Sequence, residues 1–307
     1  MKILITGGAG FIGSHLSDLL IKKNEEVHII DNLSTGKLEN INPKAKFHNI
    51  DLSNHESVSN IFEQVKPDIV YHLAAQIDIR KSVEDPIKDA NINILSTLNL
   101  LELSRKNDIK HLIFSSTGGA IYGDTKELPT KEDHKENPVS PYGCAKLAIE
   151  KYLNFYNKTY GLKYTALRYS NVYGPRQNPH GEAGVISIFL NNMILGKTPI
   201  IFGGIQTRDF VYVKDVAYAN LLALKDNKSD TYNIGTGKET DIIEIFSRLN
   251  RYFKNEFDPK YEPIKKGEQK KSCLDNNKAK EILGWVPKVN MEEGLDKTYC
   301  WYLKSIK

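Results

Sequence analysis

Short apolar runs alternate with stretches of helical apolar spacing through the first half of the chain. A continuous apolar run bounded by turn residues indicates a buried strand, and recurrence every three or four residues indicates a helix. The pattern predicts strands at 2–6, 27–31, 45–50, 68–74, 110–115 and 163–169, and helices at 11–23, 54–65, 86–107 and 141–160. Such alternation predicts an α/β fold in which a doubly wound parallel sheet carries helices on both faces.

The pattern changes after residue 171, where the segments become shorter and more interrupted. We expect a core domain over 1–171 and a smaller α/β lobe over 172–307, with the run 231–234 as a strand that could return to the core sheet. The second half predicts strands at 199–202 and 208–213, and helices at 184–195, from 215 onward, and at 240–254, 275–283 and 291–304.

Three glycines separate the first predicted strand from the first predicted helix. Gly7, Gly10 and Gly13 stand in the run Gly-Gly-Ala-Gly-Phe-Ile-Gly, which can also be read as starting at Gly8. Without a Cβ atom the backbone can approach a pyrophosphate, whose charge the N–H groups and dipole of the helix N-terminus stabilise. Because the motif lies between a strand and a helix, it predicts a dinucleotide site. A glycine turn without a ligand is the alternative.

The second predicted strand ends at Asp31, roughly twenty residues after the glycines, where a carboxylate accepts hydrogen bonds from the adenosine ribose. A carboxylate there would also repel the 2′-phosphate of NADP. We therefore expect NAD as the cofactor.

Tyr142 and Lys146 form the candidate catalytic pair. Both lie on the predicted helix 141–160, and their four-residue spacing places them on one face. A phenol titrates near pH ~10, and an ammonium group one turn away favours the phenolate. Such a tyrosine can exchange a proton with a sugar or alcohol hydroxyl. The same spacing also arises by chance on helices, so the glycine motif is what favours the catalytic interpretation.

The composition is that of a globular protein, with 307 residues, 40% hydrophobic and 26% charged, and a net charge of +4. The basic residues are spread along the chain rather than concentrated on one face, so no nucleic-acid partner is expected. Cys144, Cys273 and Cys300 lack metal-ligand spacing, which predicts reduced thiols in a cytoplasmic protein and no metal site. No apolar stretch approaches the ~20 residues that span a membrane. A first strand that begins at residue 2 leaves no room for a signal peptide, so none is expected.

Together with His72-Leu-Ala-Ala75 and Arg208-Asp-Phe-Val-Tyr-Val213, these motifs resemble those of the extended short-chain dehydrogenase/reductases. Within that superfamily the chain is most similar to the NAD-dependent UDP-glucose 4-epimerases, from residue 1 to about 300. The resemblance implies a Rossmann fold and interconversion of UDP-glucose and UDP-galactose through a transient 4-keto sugar. It also implies a homodimer, because helices corresponding to 86–107 and 141–160 pair across a two-fold axis in the family.

The resemblance further implies the residues that hold NAD and do the chemistry. Tyr142, Lys146 and Thr117 would be catalytic, with Thr117 as the third hydroxyl of Phe114-Ser-Ser-Thr117. The cofactor set comprises Gly7, Gly10, Phe11, Ile12 and Gly13 at the pyrophosphate, Asp31, Asn32 and Ser34 at the ribose, Asp51 and Leu52 beside the adenine, and Leu73, Ala74, Ala75, Asn93, Ser115, Tyr142, Lys146 and Tyr169 elsewhere along the cofactor.

A second implied set binds the UDP-sugar. It comprises Thr117 and Tyr142 at the sugar, Asn171 near the phosphate, Val185 and Ile186 at the uracil through their backbone, Arg208 and Lys265 at the diphosphate, and Ser272 beside the sugar. Lys265 or its neighbour Lys266 replaces a family arginine, so a point charge stands where a bidentate fork is expected. The small Ser272 replaces an aromatic residue that accompanies unacetylated sugars, so UDP-GlcNAc and UDP-GalNAc could also be accepted.

Alternatives stay open at single positions and for the whole chain. Arg208 could pair locally with Asp209, Asn93 could bond backbone, and His72 could be a packed histidine. A nucleotide-sugar 4,6-dehydratase needs an acid/base pair beside the threonine, where this chain has Gly118-Gly119. A UDP-sugar decarboxylase or uronic acid 4-epimerase is a further possibility. A non-catalytic NAD-binding sensor would usually lack the tyrosine–lysine pair.

Overall fold

A computed structural model describes residues 1–180, 184–226, 228–264 and 269–305. The strands are β1 (Lys2–Thr6), β2 (Glu26–Asp31), β3 (Lys46–Asn49), β4 (Ile69–His72), β5 (His111–Thr117), β6 (Tyr164–Tyr169), β7 (Asn171–Tyr173), β8 (Ile200–Phe202), β9 (Thr207–Arg208), β10 (Phe210–Tyr212), β11 (Asp230–Ile234), β12 (Thr240–Asp241), β13 (Lys260–Glu262) and β14 (Lys271–Ser272).

The α-helices lie between these strands and cover the sheet. They are α1 (Phe11–Lys22), α2 (His55–Val65), α3 (Ile79–Glu84), α4 (Pro86–Ala90), α5 (Ser96–Lys106), α6 (Gly118–Tyr122), α7 (Pro141–Tyr160), α8 (Val185–Ile194), α9 (Val213–Ala223), α10 (Ile242–Asn250) and α11 (Met291–Ser305). Short 3₁₀ segments occur at Leu38–Asn40 and Arg251–Phe253, and π-helical segments at Asn91–Leu95 and Ala279–Leu283.

Seven of the described strands form the main sheet, in the order β3-β2-β1-β4-β5-β6-β11, and every neighbouring pair is parallel. The strand order reverses between β1 and β4, which is the switch point where ligands bind in doubly wound folds. The predicted fold class is therefore confirmed. The glycine loop after β1 and the segment after β4 meet at this switch point.

Apolar side chains cover both faces of the sheet and build a third cluster beyond it. One face packs on α1 and α9, and the other on α2, α5 and α7. The third cluster joins α8, α10 and α11 with β10, through residues such as Phe189, Phe246 and Tyr302. The domain boundary at residue 171 stays a prediction. Helix α9 and strand β11 come after this residue in the sequence, and both pack with the main sheet.

Helix α7 begins and ends where the sequence predicts. The Ser140 hydroxyl accepts a hydrogen bond from the Gly143 N–H (3.1 Å), and Pro141 occupies the first helical position. The helix ends at Gly161, which has φ +72° and so takes the left-handed conformation that glycine adopts without strain. These capping residues fix the position of Tyr142 and Lys146 in the first two turns.

The structure corrects several predicted boundaries. The helix predicted at 86–107 contains the π-helical segment Asn91–Leu95, and the helix predicted at 275–283 contains Ala279–Leu283. The strand predicted at 208–213 is interrupted at Asp209, because β9 pairs with β12 and β14 whereas β10 pairs with β7. Helix α9 already begins at Val213 rather than at 215, and the short helices α3 and α6 were not predicted.

Candidate active site

The glycine loop brings the end of β1 against the segment that follows β4. Gly7 has φ +74°, and a Cβ atom there would lie 2.6 Å from the backbone nitrogen of Ala74. A Cβ atom on Gly13 would collide with the carbonyl oxygen of Gly7, which also accepts from the Gly10 N–H at 3.1 Å. These contacts exclude a side chain at Gly7 and at Gly13. Phe11 and the N–H groups of the first turn of α1 follow directly, as a pyrophosphate site requires.

The predicted ribose site gathers at the carboxyl end of β2. Asp31 is the last residue of this strand, and its two carboxylate oxygens accept from the N–H groups of Ala9 (3.0 Å) and Leu33 (2.8 Å). Burial raises the pKa of Asp31, against the effect of the two amide hydrogen bonds. The carboxylate thus joins the glycine loop to the segment after β2. Each carboxylate oxygen has a second lone pair for a ribose hydroxyl.

The predicted adenine residues adjoin this carboxylate. Asn32 donates from Nδ2 to Asp51 (2.6 Å), and its own Oδ1 accepts from the Ser34 N–H (3.0 Å). Hydrogen bonds from Ser53 lower the pKa of Asp51, so this carboxyl group is ionised at neutral pH. Leu52 is half-buried against the apolar cluster beneath α2. Hydrogen bonds therefore connect Asn32, Ser34 and Asp51.

His72, at the end of β4, belongs to the interior. Its Nδ1 lies 2.7 Å from Thr6 Oγ1, and its Nε2 lies 2.8 Å from Thr97 Oγ1. Because the Thr97 hydroxyl donates to the carbonyl of Asn93, the proton of the neutral ring belongs on Nε2. Burial and the nearby Lys146 lower the pKa of His72 to about 3. His72 is a packed, neutral histidine.

Asn93 anchors the segment that leaves β4. Its side chain accepts from the N–H of Gln76 and donates to the carbonyl of the same residue, both at 2.9 Å. It also donates to the buried Asp89, 2.9 Å away. Asn93 lies in the π-helical segment, a distortion that often occurs at functional sites. Its contacts hold the segment that carries Leu73, Ala74 and Ala75, so its role is structural, which was the open alternative.

The tyrosine–lysine pair lies on the first two turns of α7, beside the end of β5. Lys146 donates from Nζ to the carbonyl of Ser115 at 2.9 Å and stands 4.7 Å from the centre of the Phe114 ring. The centre of the Tyr142 ring is 5.9 Å from the same Nζ. Thr117 ends β5 and caps α6 by accepting from the Ala120 N–H at 3.3 Å. All three predicted catalytic residues thus lie at the carboxyl end of the sheet.

Lys146 is a buried ammonium group. Burial lowers its pKa to about 8, and the negative charges of Asp89 and Glu150 oppose that shift. A lysine with a pKa near neutrality is typical of a functional site rather than of a solvated surface. The group is charged at pH 7 and lies where it favours a phenolate on Tyr142.

Tyr169 points away from the crevice. Its hydroxyl lies 3.1 Å from Ser115 Oγ and accepts from Nδ2 of Asn220 at 2.8 Å. Burial raises the pKa of Tyr169 to about 12. Its phenol is part of the interior, so a contribution to cofactor binding would come from its backbone. Ser115 contributes its carbonyl to Lys146 and its hydroxyl to this buried group.

The predicted substrate side forms around β9 and β14. Arg208 on β9 and Ser272 on β14 are direct partners in the parallel pair, and Arg208 donates to the carbonyl of Thr207 at 2.9 Å. Ser272 Oγ lies 3.8 Å from the position of a Cβ atom on Gly119, two residues after Thr117. The predicted sugar-gating residue therefore lies beside the predicted catalytic threonine. Asn171 joins this region because its N–H donates to the carbonyl of Asp209 at 2.9 Å.

The side chain of Asp209, the residue after Arg208, links three segments of the chain by hydrogen bonds. Its fully buried carboxylate accepts from the N–H and hydroxyl of Thr236 (2.8 and 2.5 Å) and from the N–H groups of Gly237 and Leu274 (both 3.2 Å). The carboxylate thus links the strand of Arg208 to the loop after β11 and to the segment after β14. Sequence reasoning considered Asp209 only as a partner for Arg208 and missed this role.

The two residues predicted to contact the uracil lie at the start of α8. Val185 and Ile186 are the first two residues of α8. The side chain of Ile186 is buried in the third apolar cluster, so a contact with the uracil would come from its backbone. Lys265 lies outside the described residues.

Sequence reasoning also missed Glu150, which follows Lys146 by one helical turn. Glu150 is buried and bonds Ser116 and Arg168. Its spacing from Tyr142 and Lys146, at eight and four residues, was the available signal. Within the described ranges, no group of His, Cys, Asp and Glu side chains suits a metal ion. The helices in those ranges are also too short or too polar to cross a bilayer.

Known proteins are similar to this chain in sequence and fold over nearly their whole length. The model of the NAD dependent epimerase/dehydratase family matches residues 3–235. A UDP-glucose 4-epimerase of Mycolicibacterium smegmatis is 40% identical over 305 residues, which are 97% of each chain. The crystal structure of the Thermotoga maritima UDP-glucose 4-epimerase with UDP-glucose is 50% identical, with a TM-score of 0.98 and 100% of both chains covered. The Thermus thermophilus UDP-glucose 4-epimerase in complex with NAD is 40% identical, with a TM-score of 0.93 and 99% of both chains covered.

These matches confirm the resemblance to the UDP-glucose 4-epimerases among the extended short-chain dehydrogenase/reductases, and NAD as the cofactor. They agree with the glycine loop, the Asp31 carboxylate and the tyrosine–lysine pair found at the switch point of the sheet. The chain belongs to the NAD-dependent epimerase/dehydratase family.

Proposed function

We propose that this enzyme interconverts UDP-glucose and UDP-galactose by transient oxidation at C4 of the sugar. The observation that carries the proposal is that Tyr142, Lys146 and Thr117 all lie at the carboxyl end of the sheet, next to a glycine loop shaped for a dinucleotide. A chain that only sensed NAD would not need a buried ammonium group beside a tyrosine.

The described residues fit NAD. Backbone rather than side chains surrounds the expected pyrophosphate at Gly7 and Gly13, and Asp31 offers a carboxylate that would repel the 2′-phosphate of NADP. NAD held there would accept the C4 hydride of the sugar and return it in the same turnover, so no external oxidant or reductant would be needed.

The protein supplies the proton transfer. Tyr142 as a phenolate takes the proton of the sugar 4-hydroxyl, and the Thr117 hydroxyl, which can donate and accept at once, assists that transfer. The Lys146 ammonium stabilises the phenolate before the transfer. In the return step Tyr142 gives the proton back to the oxygen of the 4-keto sugar, now presented by its other face.

The UDP portion would stay anchored while the sugar turns. Arg208 provides a planar fork for the diphosphate, Asn171 contributes nearby, and the backbone of Val185 and Ile186 would contact the uracil. Lys265 is the second proposed cation for the diphosphate. Anchoring at a distance from C4 is what lets a free keto sugar rotate without leaving.

The proposed sugar range follows from Ser272. Ser272 lies near Gly119 and is smaller than the aromatic residue that accompanies unacetylated sugars in the family. We therefore include UDP-GlcNAc and UDP-GalNAc among the proposed substrates.

Elimination chemistry fits this site less well. A 4,6-dehydratase needs a carboxyl group beside the threonine to protonate the leaving hydroxyl. Gly118 and Gly119 occupy those positions, and a Cβ atom on Gly118 would lie 2.5 Å from the Leu274 side chain. The packing here favours an epimerase.

We further propose a homodimer in the cytoplasm. Apolar residues on neighbouring helices are exposed, among them Ile87 (75%) on α4 and Phe155 (47%) on α7. A second copy that covers both helices would bury them. Cys144, Cys273 and Cys300 are free thiols, as expected in a reducing compartment.

The test of the function is proton NMR of UDP-galactose incubated with purified protein and no added NAD. Signals of UDP-glucose are the expected result. If none appear even after NAD is added, and UDP-GalNAc is also unchanged, the proposed function is wrong.

A further inference from the structure

A buried ion pair lies behind the proposed catalytic residues and is not used by the proposed chemistry. Glu150 on α7 and Arg168 on β6 are both almost fully buried, and Arg168 Nη2 lies 2.6 Å from the Glu150 carboxylate. Arg168 Nε donates to the same carboxylate at 3.0 and 3.2 Å, which makes the pair bidentate. Neither residue lies among the predicted cofactor or substrate residues.

The pair contacts the chain immediately before Thr117. Ser116 Oγ donates to Glu150 at 2.5 Å, and Ser116 is buried. The preceding residue, Ser115, accepts from Lys146, one turn before Glu150 on the same helix. Two successive residues of β5 are therefore bound to α7 by two side chains one turn apart.

The pair also reaches the far end of the short helix that Thr117 caps. Arg168 Nη1 donates to the hydroxyl of Tyr122 at 2.7 Å, and Tyr122 is the last residue of α6. The guanidinium carbon lies 4.9 Å from the centre of the Tyr122 ring. Thr117 is thus fixed from both sides, through Ser116 before it and through Tyr122 after it.

We propose that Glu150, held by Arg168, is a positioning residue that sets Thr117 on β5 against Tyr142 and Lys146 on α7. The inference rests on the proposed function for its catalytic readout. Burying two charges requires removing both from water, so a buried pair is weak grounds for expecting extra stability. Fixing one geometry among several is the better-supported use of such a pair. Catalysis depends on that geometry, because displacements of about 1 Å can lower a rate about a hundredfold.

The first test compares Ser116→Ala with Ser116→Thr. Alanine removes the hydroxyl that Glu150 holds, whereas threonine keeps it. We expect Ser116→Ala to lower kcat on UDP-galactose by about tenfold to a hundredfold, with KM and the Kd for NAD changed less than about twofold. Ser116→Thr should recover most of kcat. Glu150→Gln, which keeps the shape but not the charge, should lower kcat at least as far.

Ser104→Ala is the matched control. Ser104 is also buried and donates to a helical carbonyl, at Leu100, but it lies on α5 away from the pair. The kcat of Ser104→Ala should equal that of the wild type. An unchanged kcat in Ser116→Ala would overturn the proposal. Loss of kcat together with NAD affinity in Ser116→Ala would also overturn it, because that indicates general loosening.

Hydrogen exchange separates this proposal from the proposed function. Ser116→Ala and Glu150→Gln should accelerate amide exchange in residues 115–122 and leave residues 2–6 unchanged, whether or not the wild type turns over UDP-galactose. If the wild type is inactive but the two variants show this exchange pattern, the proposed function is wrong and the positioning role stands. Unaltered exchange in 115–122 would contradict the positioning role alone.

Discussion

The carbonyl oxygen of Ala120 lies 2.6 Å from the position that a Cβ atom on Gly143 would occupy. Gly143 directly follows Tyr142, and Ala120 belongs to the short helix that Thr117 caps. The missing side chain lets α6 approach the first turn of α7 closely. Gly143 thus lets the helix that Thr117 caps approach the turn that carries Tyr142.

Gly143→Ala should therefore separate α6 from α7. We expect kcat to fall by about tenfold or more, since the proton transfer depends on sub-ångström placement, while NAD affinity persists. Steady-state kinetics and calorimetric NAD titration are the measurements. Gly161→Ala is the control: nothing lies within 4 Å of its Cβ position, so its left-handed backbone should lower Tm without lowering kcat. Equal kcat for Gly143→Ala and wild type would contradict the close-approach argument.

Lys146→Met should abolish turnover and stabilise the protein at neutral pH. The folded-state pKa of Lys146 is lowered to about 8 from 10.5, so the unfolded chain binds the proton more tightly between these values. The buried charge is therefore a stability cost that is complete below pH 8 and fades as the pH rises toward 10.5. Removing the ammonium group removes this cost.

Urea unfolding of wild type and Lys146→Met at several pH values measures this effect. The variant should be more stable at pH 7, and the gap should narrow above pH 8 as wild type deprotonates. A variant less stable than wild type at pH 7 would show that Lys146 makes contacts that outweigh its desolvation.

Asp31→Asn should weaken discrimination between the two nicotinamide cofactors. The carboxylate holds the N–H groups of Ala9 and Leu33, and an amide can accept only through its one oxygen. We expect NAD affinity to fall about tenfold and the preference over NADP to shrink, because the repulsion of the 2′-phosphate is lost. Binding titrations with both cofactors decide this. Asp51→Asn, beside Asn32, should leave the preference intact.

Ser272→Tyr tests the proposed sugar range. A tyrosine next to the position of Gly119 would fill space that an acetamido group needs. The ratio of kcat/KM on UDP-GalNAc to that on UDP-galactose should fall by about tenfold, because a size mismatch in a pocket is worth roughly 1–3 kcal/mol in substrate discrimination. Ser272→Ala, which keeps the space, should hold the wild-type ratio. An unchanged ratio in Ser272→Tyr would show that Ser272 does not set the sugar range.

The sequence predicted those elements whose local signals agree with their packing. Helix α7 has its predicted bounds, and Ser140, Pro141 and Gly161 are strong capping residues at its two ends. The glycine loop was predicted because its spacing has one well-known structural use. The interruption at Asp209 could not be predicted, since the apolar run 210–213 follows it directly and no turn residue marks the change of strand partner.

The missed residues share a different cause. Glu150 and Arg168 are charged, and charged side chains are normally expected at the surface unless a partner is known. Their pairing joins α7 to β6, eighteen residues apart, and depends on the packing of both elements. The same holds for Asp209, whose donors at Thr236 and Leu274 are 27 and 65 residues away. The helix spacing of Glu150 is a local signal, but the identity of its distant partner has no local sequence signature.

The most direct test of the central claim follows the hydrogen at C4. UDP-galactose that carries deuterium at C4 is incubated with the protein in ordinary water, without added NAD, and the UDP-glucose formed is analysed by NMR and mass spectrometry. Transient oxidation with return of the same hydride predicts UDP-glucose that keeps the deuterium at C4. Product in which solvent hydrogen has replaced the deuterium would contradict it, because the C4 hydrogen would then leave as a proton.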